Sequence, residues 1–532
     1  MDDRQRMLNA IEEVEKARER YRLGSDQSQV EKQHKRGKAT ARERMEMLFD
    51  PGTFRELELW AHPLRTGFDS DEKFSPSDAV VIGYGKVDGR TVMAYGHDFT
   101  VLTGSQSSVQ HSKVVRVIDT AIKMMVPYVG IMDSSGIRVQ DIMGEPGPRP
   151  PLDGQGLHGT GSLMYSPSLA SGVIPQIALM LGPQFAGASY SPILKDFLIM
   201  RESESVFMAL VSPPVIKEVS GAEVTYQEIG GAMLHAKVSG ICDLVTKTDE
   251  EAVRNCRRLL SYFPSNWKEK PPVIPTTDDI NRRDQELLDM VPFELTLGYD
   301  VRMVIRCLVD DGDFFEIKPL YADNVIIGFA RLNGLSVGIV ANNPQVMMGA
   351  IDRNSSDKAA RFIRFCDAFN IPLVFLEDTV GYVPGAEQEQ LGLARHAAKV
   401  VYAICEATVP KITVYLRNSS GFGELAMGTG QMGVDLTLAW PNARIGRVDP
   451  AQAAEAIYGE DIKRAEDPDA MRRMREKELA AKYSTVIDAG ARQMVDDIID
   501  PRDTRPILIN ALDWFSKKME SRPWKKHGNI PF

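Results

Sequence analysis

The chain has few of the residues that most often announce a chemistry. Its five cysteines, Cys242, Cys256, Cys307, Cys366 and Cys405, lie far apart and form no C-x-x-C pair. That argues against a disulfide scaffold and fits a reducing compartment. The eight histidines, His34, His62, His97, His111, His158, His235, His396 and His527, show no close pairing at metal-ligand spacing, so no metal is expected in this chain. No apolar run reaches transmembrane length, and the charged start "MDDRQRMLNAIEEVEKARERYRLG" has no apolar h-region. The expected location is the cytoplasm. Phosphate-binding G-x-x-x-x-G-K-[ST] and dinucleotide-binding G-x-G-x-x-G patterns are missing, as is the G-x-S-x-G of serine hydrolases. A Ser-His-Asp set gathered from distant positions stays open. A net charge of −10 argues against a general nucleic-acid binder and leaves room for local basic patches.

What the chain does have is length and internal repetition. At 532 residues it exceeds the size of a single core, so two or more domains are expected. The first 30 or so residues read as a charged helix, and Asp50-Pro51-Gly52 as a stop after "TARERMEMLF". "VVIGYGKVDGRTVMAYGHD" then resembles "NVIIGFARLNGLSVGIVANN" further on. Gly83 and Gly89 precede Gly328 and Gly334 by 245 positions. The same offset joins Lys113 to Lys358, Pro127 to Pro372, Asp133 to Asp378 and Gly136 to Gly381. Each half orders its parts alike: a hairpin around Asp-Gly or Asn-Gly, a helix, a buried strand ending at Asp, a helix, and a strand entering a glycine-containing turn. This is α/β layering with strands covered on both faces. The proline- and charge-rich segment 262–285 reads as the linker.

The two glycine-containing turns are the candidate sites. They are "GPQFAGASYSP", Gly182 to Pro192, and "RNSSGFGELAMG", Arg417 to Gly428. Small residues let a backbone approach a ligand, and amides at a following helix start can hold developing negative charge. "SYSPILKDFLIM" and "ELAMGTGQMG" are the helix starts expected after them. Tight helix–strand packing explains either turn equally well; their matched positions favour a reaction with two reactants. Asp133 and Asp378 are expected to cap the segments after their strands rather than act as acid or base. "TAIKMM" is a poor match to a biotin-attachment sequence, and Lys123 within it reads as an ordinary helix lysine. "GEPGPRP", Gly144 to Pro150, reads as a proline-rich loop.

Several longer stretches carry a resemblance: "TARERMEMLFDPGTF", "GPQFAGASYSP", "VTYQEIGGAMLHAKVSG", "SSDKAARFIRFCDAFNIPLVFLEDTVGYVPG", "EATVPKITVYLR", "LAWPNARI" and "SRPWKKHGNIPF". Over nearly its whole length the chain resembles the carboxyltransferase (β) subunit of biotin-dependent acyl-CoA carboxylases, especially the propionyl-CoA carboxylase type. The resemblance implies a duplicated crotonase-like (ClpP/crotonase) α/β superhelical fold, with residues 1–270 as the acyl-CoA side and 271–532 as the biotin side. It implies transfer of a carboxyl group from carboxybiotin to the α-carbon of a short-chain or branched acyl-CoA. The carboxybiotin would arrive on a separate carrier. The implied assembly is a homo-hexamer of two trimers, working with a biotin carboxylase and a biotin carboxyl carrier subunit. Ala186 and Gly187 would supply amides for the thioester oxygen, and Phe422 and Gly423 for the biotin ureido oxygen. Gly136, Arg138, Gly182, Tyr190, Gly421 and Leu425 fall at substrate- or cofactor-binding positions.

The chain also departs from that pattern. It has Ala186-Gly187 where relatives have Gly-Gly, "SSGFGE" where they have "AYGGAY", and Leu425 at a position where propionyl-type enzymes carry an aspartate. Three alternatives therefore stand beside the carboxylase reading. One is a decarboxylase or transcarboxylase acting on a malonyl-type CoA. Another is a structural subunit with Phe422 filling the biotin channel and the Ala186 and Gly187 amides paired internally. The last is a biotin-independent crotonase using Glu424 or Asp141 as an acid.

Overall fold

In the computed structural model the described residues are 2–64, 73–143, 159–446 and 448–531. The proline-rich Gly144–Pro150 stretch lies outside them. The chain divides into two units, Met1–Glu269 and Lys270–Phe532.

The first unit begins with helices Asp3–Arg22, Gln27–Lys35 and Ala41–Leu48. The single charged helix expected at the start is thus two, parted at Gly24, whose φ of +84° ends the first. Thr40 and Glu43 close a capping box on the third helix. The strands are β1 (Arg55–Leu57), β2 (Val80–Val87), β3 (Arg90–His97), β4 (Tyr128–Met132), β5 (Gln176–Met180), β6 (Gln184–Phe185), β7 (Phe197–Arg201), β8 (Met208–Ala209) and β9 (Leu244–Thr246). Among the described residues the main sheet runs β1-β2-β3-β4-β5-β7-β9, antiparallel as far as β3 and parallel beyond it. β6 and β8 form a separate parallel pair. Every residue of β4, β5 and β7 is buried, as expected of parallel strands covered on both faces.

The second unit repeats the plan with β10 (Phe315–Ile317), β11 (Val325–Leu332), β12 (Leu335–Asn342), β13 (Leu373–Thr379), β14 (Lys411–Ser420), β15 (Leu436–Ala439), β16 (Arg444–Gly446) and β17 (Asp497–Ile498). The order is β10-β11-β12-β13-β14-β15-β17, with β16 on β14. The β2–β3 and β11–β12 hairpins turn at Asp88-Gly89 and Asn333-Gly334, all four with positive φ. A carboxylate caps each turn: Asp50 accepts from the Asp88 and Gly89 amides, and Asp310 from those of Asn333 and Gly334.

The repeated lysines have a structural task. Lys113, on helix Ser108–Met124, donates to the Ser77 and Val80 carbonyls at 2.6 and 2.7 Å. Lys358, on helix Arg353–Ala368, donates to the Tyr321 carbonyl at 2.7 Å. Burial pushes these amines down to about 8 and about 7, respectively. Lys123 is exposed in the last turn of its helix, as an ordinary helix lysine would be.

The repetition extends to rare backbone geometry. Leu102, Thr103 and Gly104 have φ of 45, 54 and 66°, and Met347, Met348 and Gly349 have 50, 53 and 72°. A Cβ on Gly104 would lie 2.2 Å from the Asp133 carbonyl oxygen, and one on Gly349 would lie 2.2 Å from that of Asp378. Glycine is required there twice over, by φ and by contact. Gly104→Ala should lower the melting temperature by on the order of 5–10 °C. Gly89→Ala has a similar φ but open space around its Cβ, and should cost only the roughly 1–2 kcal/mol of left-handed backbone. Equal melting shifts for the two variants would show that the close approach carries no cost.

Candidate active site

In each unit a buried aspartate sits where a central strand meets its turn. Asp133 follows β4. It accepts from Lys38 Nζ at 2.6 Å, from the Arg44 guanidinium at 2.8 Å and from Gln33 Nε2 at 3.1 Å. Burial by itself would raise its pKa, but Lys38 and Arg44 hold it below the usual carboxylate value. Asp378, near the end of β13, accepts from Tyr299 Oη at 2.8 Å, Arg417 Nε at 2.9 Å and the Asn418 amide at 3.2 Å. Burial lifts its carboxyl to about 6, and Arg417 and Tyr299 keep it from rising further. Neither aspartate caps a following helix, so the expected capping role is corrected. Each ties distant segments together from beneath its turn, a role set by partners that lie far off in sequence.

The first turn is built on this base. A Cβ on Gly182 would come within 1.7 Å of Asp133 Oδ1, so only glycine lets the chain pass the carboxylate. β6 then leads into a single 3-10 turn, Ala186–Ser189, followed by one helical turn, Tyr190–Ile193. The helix expected from "SYSPILKDFLIM" is therefore short, and Phe197–Arg201 is β7. Two neighbouring loops brace the turn. Ser134 N donates to Pro183 O, Gln106 N to Gly136 O, and Arg138 N to Gln106 O. Gly136, with φ of +102°, places its Cα beside Phe185. Arg138 is buried, and its guanidinium bonds Asp78, Asp141 and both oxygens of Ser105. Its observed work is to hold these loops together. Tyr190 is half exposed.

The second turn repeats the layout. Ile351 N donates to Gly381 O, and Val383 N to Ile351 O. The β13–β14 register shifts between Glu377 and Thr379, which pair with Tyr415 and Ser419. Such an irregularity re-aims side chains beside a site. β14 ends at Ser420. Gly421 takes φ of +64°, Phe422 has φ −76° and ψ 2°, and Gly423–Ala426 makes one helical turn. A Cβ on Gly423 would lie 2.7 Å from Gly381 Cα, so the backbones touch. The Phe422 ring is 69% exposed, and Leu425 is half buried.

The consequence for chemistry lies in the main chain. Ala186 and Gly187 open the first 3-10 turn, Phe422 and Gly423 the second helical turn, and none of their four N–H groups has an acceptor among the described residues. Helix starts leave such donors unsatisfied, and in a water-poor site they favour an oxygen gaining negative charge. Ala186 reaches its place with φ of +50°, an unusual conformation for a residue with a Cβ. Of the two acids that could serve a biotin-independent reaction, Glu424 is buried and Asp141 is paired with Arg138. Among the described residues no group of three or more His, Cys, Asp or Glu is placed to hold a metal ion, and no helix is long and apolar enough to cross a membrane.

Sequence reasoning singled out Asp378 and passed over its neighbour. Glu377 is fully buried on β13. It faces the Ser419 hydroxyl without a well-formed hydrogen bond, and the charged groups that bear on it, Glu424 and Asp378, are both acidic. The signal available was an acid inside the apolar run "IPLVFLED".

Two mixed sheets of one plan, each carrying a turn with free backbone amides at a strand end, define a duplicated crotonase-like protein. Residues 32–530 match the carboxyl transferase domain family, and the chain belongs to it. It is an enzyme that transfers carboxyl groups. It is 43% identical to the methylmalonyl-CoA carboxyltransferase 12S subunit of Propionibacterium freudenreichii subsp. shermanii, over 99% of this chain and 98% of that one. It is 42% identical to the methylmalonyl-CoA decarboxylase subunit alpha of Propionigenium modestum, over 98% of both. With the human mitochondrial propionyl-CoA carboxylase beta chain it shares 40% identity, over 98% of this chain and 93% of that one. Among solved structures, the transcarboxylase 12S hexamer with methylmalonyl-coenzyme A and methylmalonic acid bound superposes with a TM-score of 0.92 at 43% identity, covering 98% of both chains.

Burial raises the Glu377 pKa well above its ordinary 4.5, so the folded chain holds a proton there that the unfolded chain releases. The stability contribution is complete below pH 4.5 and is lost progressively as pH rises above it. Glu377→Gln, which cannot ionise, should match the parent near pH 4.5 and melt higher at pH 8. The difference should grow by at most about 1.4 kcal/mol per pH unit. Parallel melting-versus-pH curves would place the charge of Glu377 outside the folded core.

Proposed function

We propose that this chain moves a carboxyl group between biotin on a separate carrier and the α-carbon of an acyl-CoA. The observation that carries the reading is the pair of matched turns with four unpaired amide donors. The Ala186 and Gly187 amides receive the thioester oxygen and stabilise it as charge moves there on loss of the α-proton. The Phe422 and Gly423 amides face the ureido oxygen of biotin, a neutral carbonyl that gains charge when the carboxyl group leaves. Amide donors without an acceptor of their own fit that oxygen. Biotin supplies the transferable carboxyl group and a ring nitrogen able to hold the α-proton, so no side-chain base is needed. The glycines Gly136, Gly182 and Gly421 let the backbone come close. Tyr190 offers an exposed contact for CoA, Arg138 shapes the loops around the thioester, and Leu425 bears on the acyl group.

We read the direction as carboxylation of an acyl-CoA. The relatives named as a decarboxylase subunit and a transcarboxylase subunit favour a second reading, in which a malonyl-type CoA gives up its carboxylate. The assembly we infer is a homo-hexamer of two trimers served by a biotin carboxylase and a carrier subunit. The exposed Phe422 ring and the unpaired first-turn amides weigh against a purely structural subunit.

Incubation of the purified protein with free biotin and a panel of CoA thioesters, carboxylated and not, tests the reading in both directions. Transfer in either direction is expected; CoA binding without any transfer would sink it. Phe422→Pro separates the backbone from the side chain. Proline accepts a φ near the observed −76° but has no N–H. It should lower kcat by about 10²–10³-fold, whereas Phe422→Ala, which keeps the amide, should lose far less. Equal losses would shift the role to the ring.

A further inference from the structure

Beside the first turn, within the first unit, lies a cavity of about 310 Å³. Its wall is almost entirely carbon, from Ile193, Leu210, Val211, Ile216, Ile229 and Ile241 among others. Among the described residues two polar side chains line it, and both are hydrogen-bonded within the protein. The Ser189 hydroxyl bonds the carbonyls of Gln184 and Ala209 at 3.2 and 3.0 Å. His235 is buried, with Nε2 2.8 Å from Met208 O and Nδ1 2.8 Å from Ser239 Oγ. Burial lowers its pKa, which keeps the ring neutral. The lining side chains among the described residues therefore offer an occupant no charge, which favours an apolar group over a polar headgroup.

The cavity is joined to the turn by hydrogen bonds. β8, which forms part of its floor, pairs with β6, the strand that delivers the chain to Ala186. Ser189 ends the same 3-10 turn that Ala186 begins. At about 2.0 Å rise per residue, the wall starts about 6 Å along the turn from the first amide. The mouth is open: Leu210, Val211 and Ile193 are 50, 46 and 40% exposed.

Resting on the assignment of the thioester to the Ala186 and Gly187 amides, we propose that this cavity receives the acyl chain of the substrate and selects medium-length aliphatic acyl-CoAs over propionyl-CoA. A dry cavity of about 150 Å³ holds a benzene molecule, so this one has room for about six to ten acyl carbons. The two or three carbons of a short acyl group would leave most of it unfilled, and so gain little from it.

Calorimetric titration of the full-length protein with free CoA and with propionyl-, butyryl-, hexanoyl- and octanoyl-CoA reads the cavity without needing any reaction. Kd should tighten by about fourfold for each added methylene that reaches the wall. Val211→Trp narrows the mouth and should collapse the octanoyl-to-propionyl affinity ratio by at least tenfold; thermal melting checks that the variant is folded. Should it not fold, Ile216→Ala, which enlarges the wall, should move the optimum to longer chains. Affinities independent of chain length in the parent protein would overturn the proposal. So would a Val211→Trp variant whose association state changes in sedimentation while its affinity series stays intact, because the cavity would then receive a side chain from a second copy. The transfer assay with free biotin stands apart. Chain-length-dependent binding without transfer would overturn the carboxyltransfer reading and leave the cavity assignment in place; transfer with flat affinities would do the reverse.

Discussion

The buried aspartate beneath each turn is the constraint on which the site depends. A carboxylate taken out of water must be paired or hydrogen-bonded on every side. Asp133 meets that demand by drawing Gln33, Lys38 and Arg44 from the helical start of the chain onto the end of β4. Arg44 reaches on to Asp249, which Arg201 also bonds, so strand end, N-terminal helices and β7 become one network. The same carboxylate dictates glycine at 182, and its backbone carbonyl dictates glycine at 104. The turn that follows is thus built directly on a paired, buried charge.

The second unit solves the same problem with different chemistry. Asp378 has one guanidinium, one phenol and one backbone amide, and its carboxyl stays near 6 where that of Asp133 is held low. Beside it stands Glu377, surrounded by acids and a hydroxyl rather than by cations. Duplicated halves share hairpins, left-handed triplets and buried lysines, because those features hold the backbone. They differ in the carboxylates, where a replacement can be absorbed if the protonation state changes with it.

Carboxyl transfer places modest demands on side chains and heavy ones on geometry. Negative charge must be accepted on one oxygen of each reactant, and main-chain donors do this with no reorganisation when the strand and turn are already fixed. On the proposed reading, the four amides without acceptors among the described residues answer that demand. Main-chain donation also accounts for the tolerance of bulky or unusual residues there: a backbone donor works whatever its side chain, provided the side chain points away, as the exposed ring of Phe422 does.

Much of this was legible in the residue order. The constant offset from Gly83 to Gly136 requires two copies of one plan, and Asp-Gly and Asn-Gly between apolar runs require tight hairpins, because these turns follow from local φ preferences. The family followed from motifs spread along the chain. What sequence could not reach were the interactions whose partners lie far apart. The aspartates at the strand ends looked like caps, because a cap is a local bond, whereas their true partners are 95 residues away in Lys38 and 39 in Arg417. The helices after the turns proved to be single turns, Tyr190–Ile193 giving way to β7 and Gly423–Ala426 ending just before Gly428 at φ of +81°. Local pattern thus determined the repeat, the strands and the place of both turns. Only the tertiary structure decided that four amides are left unpaired, that Glu377 is buried among acids, and that an apolar cavity opens beside the first turn. Each of those depends on which groups are excluded from water together, and that is a property of packing.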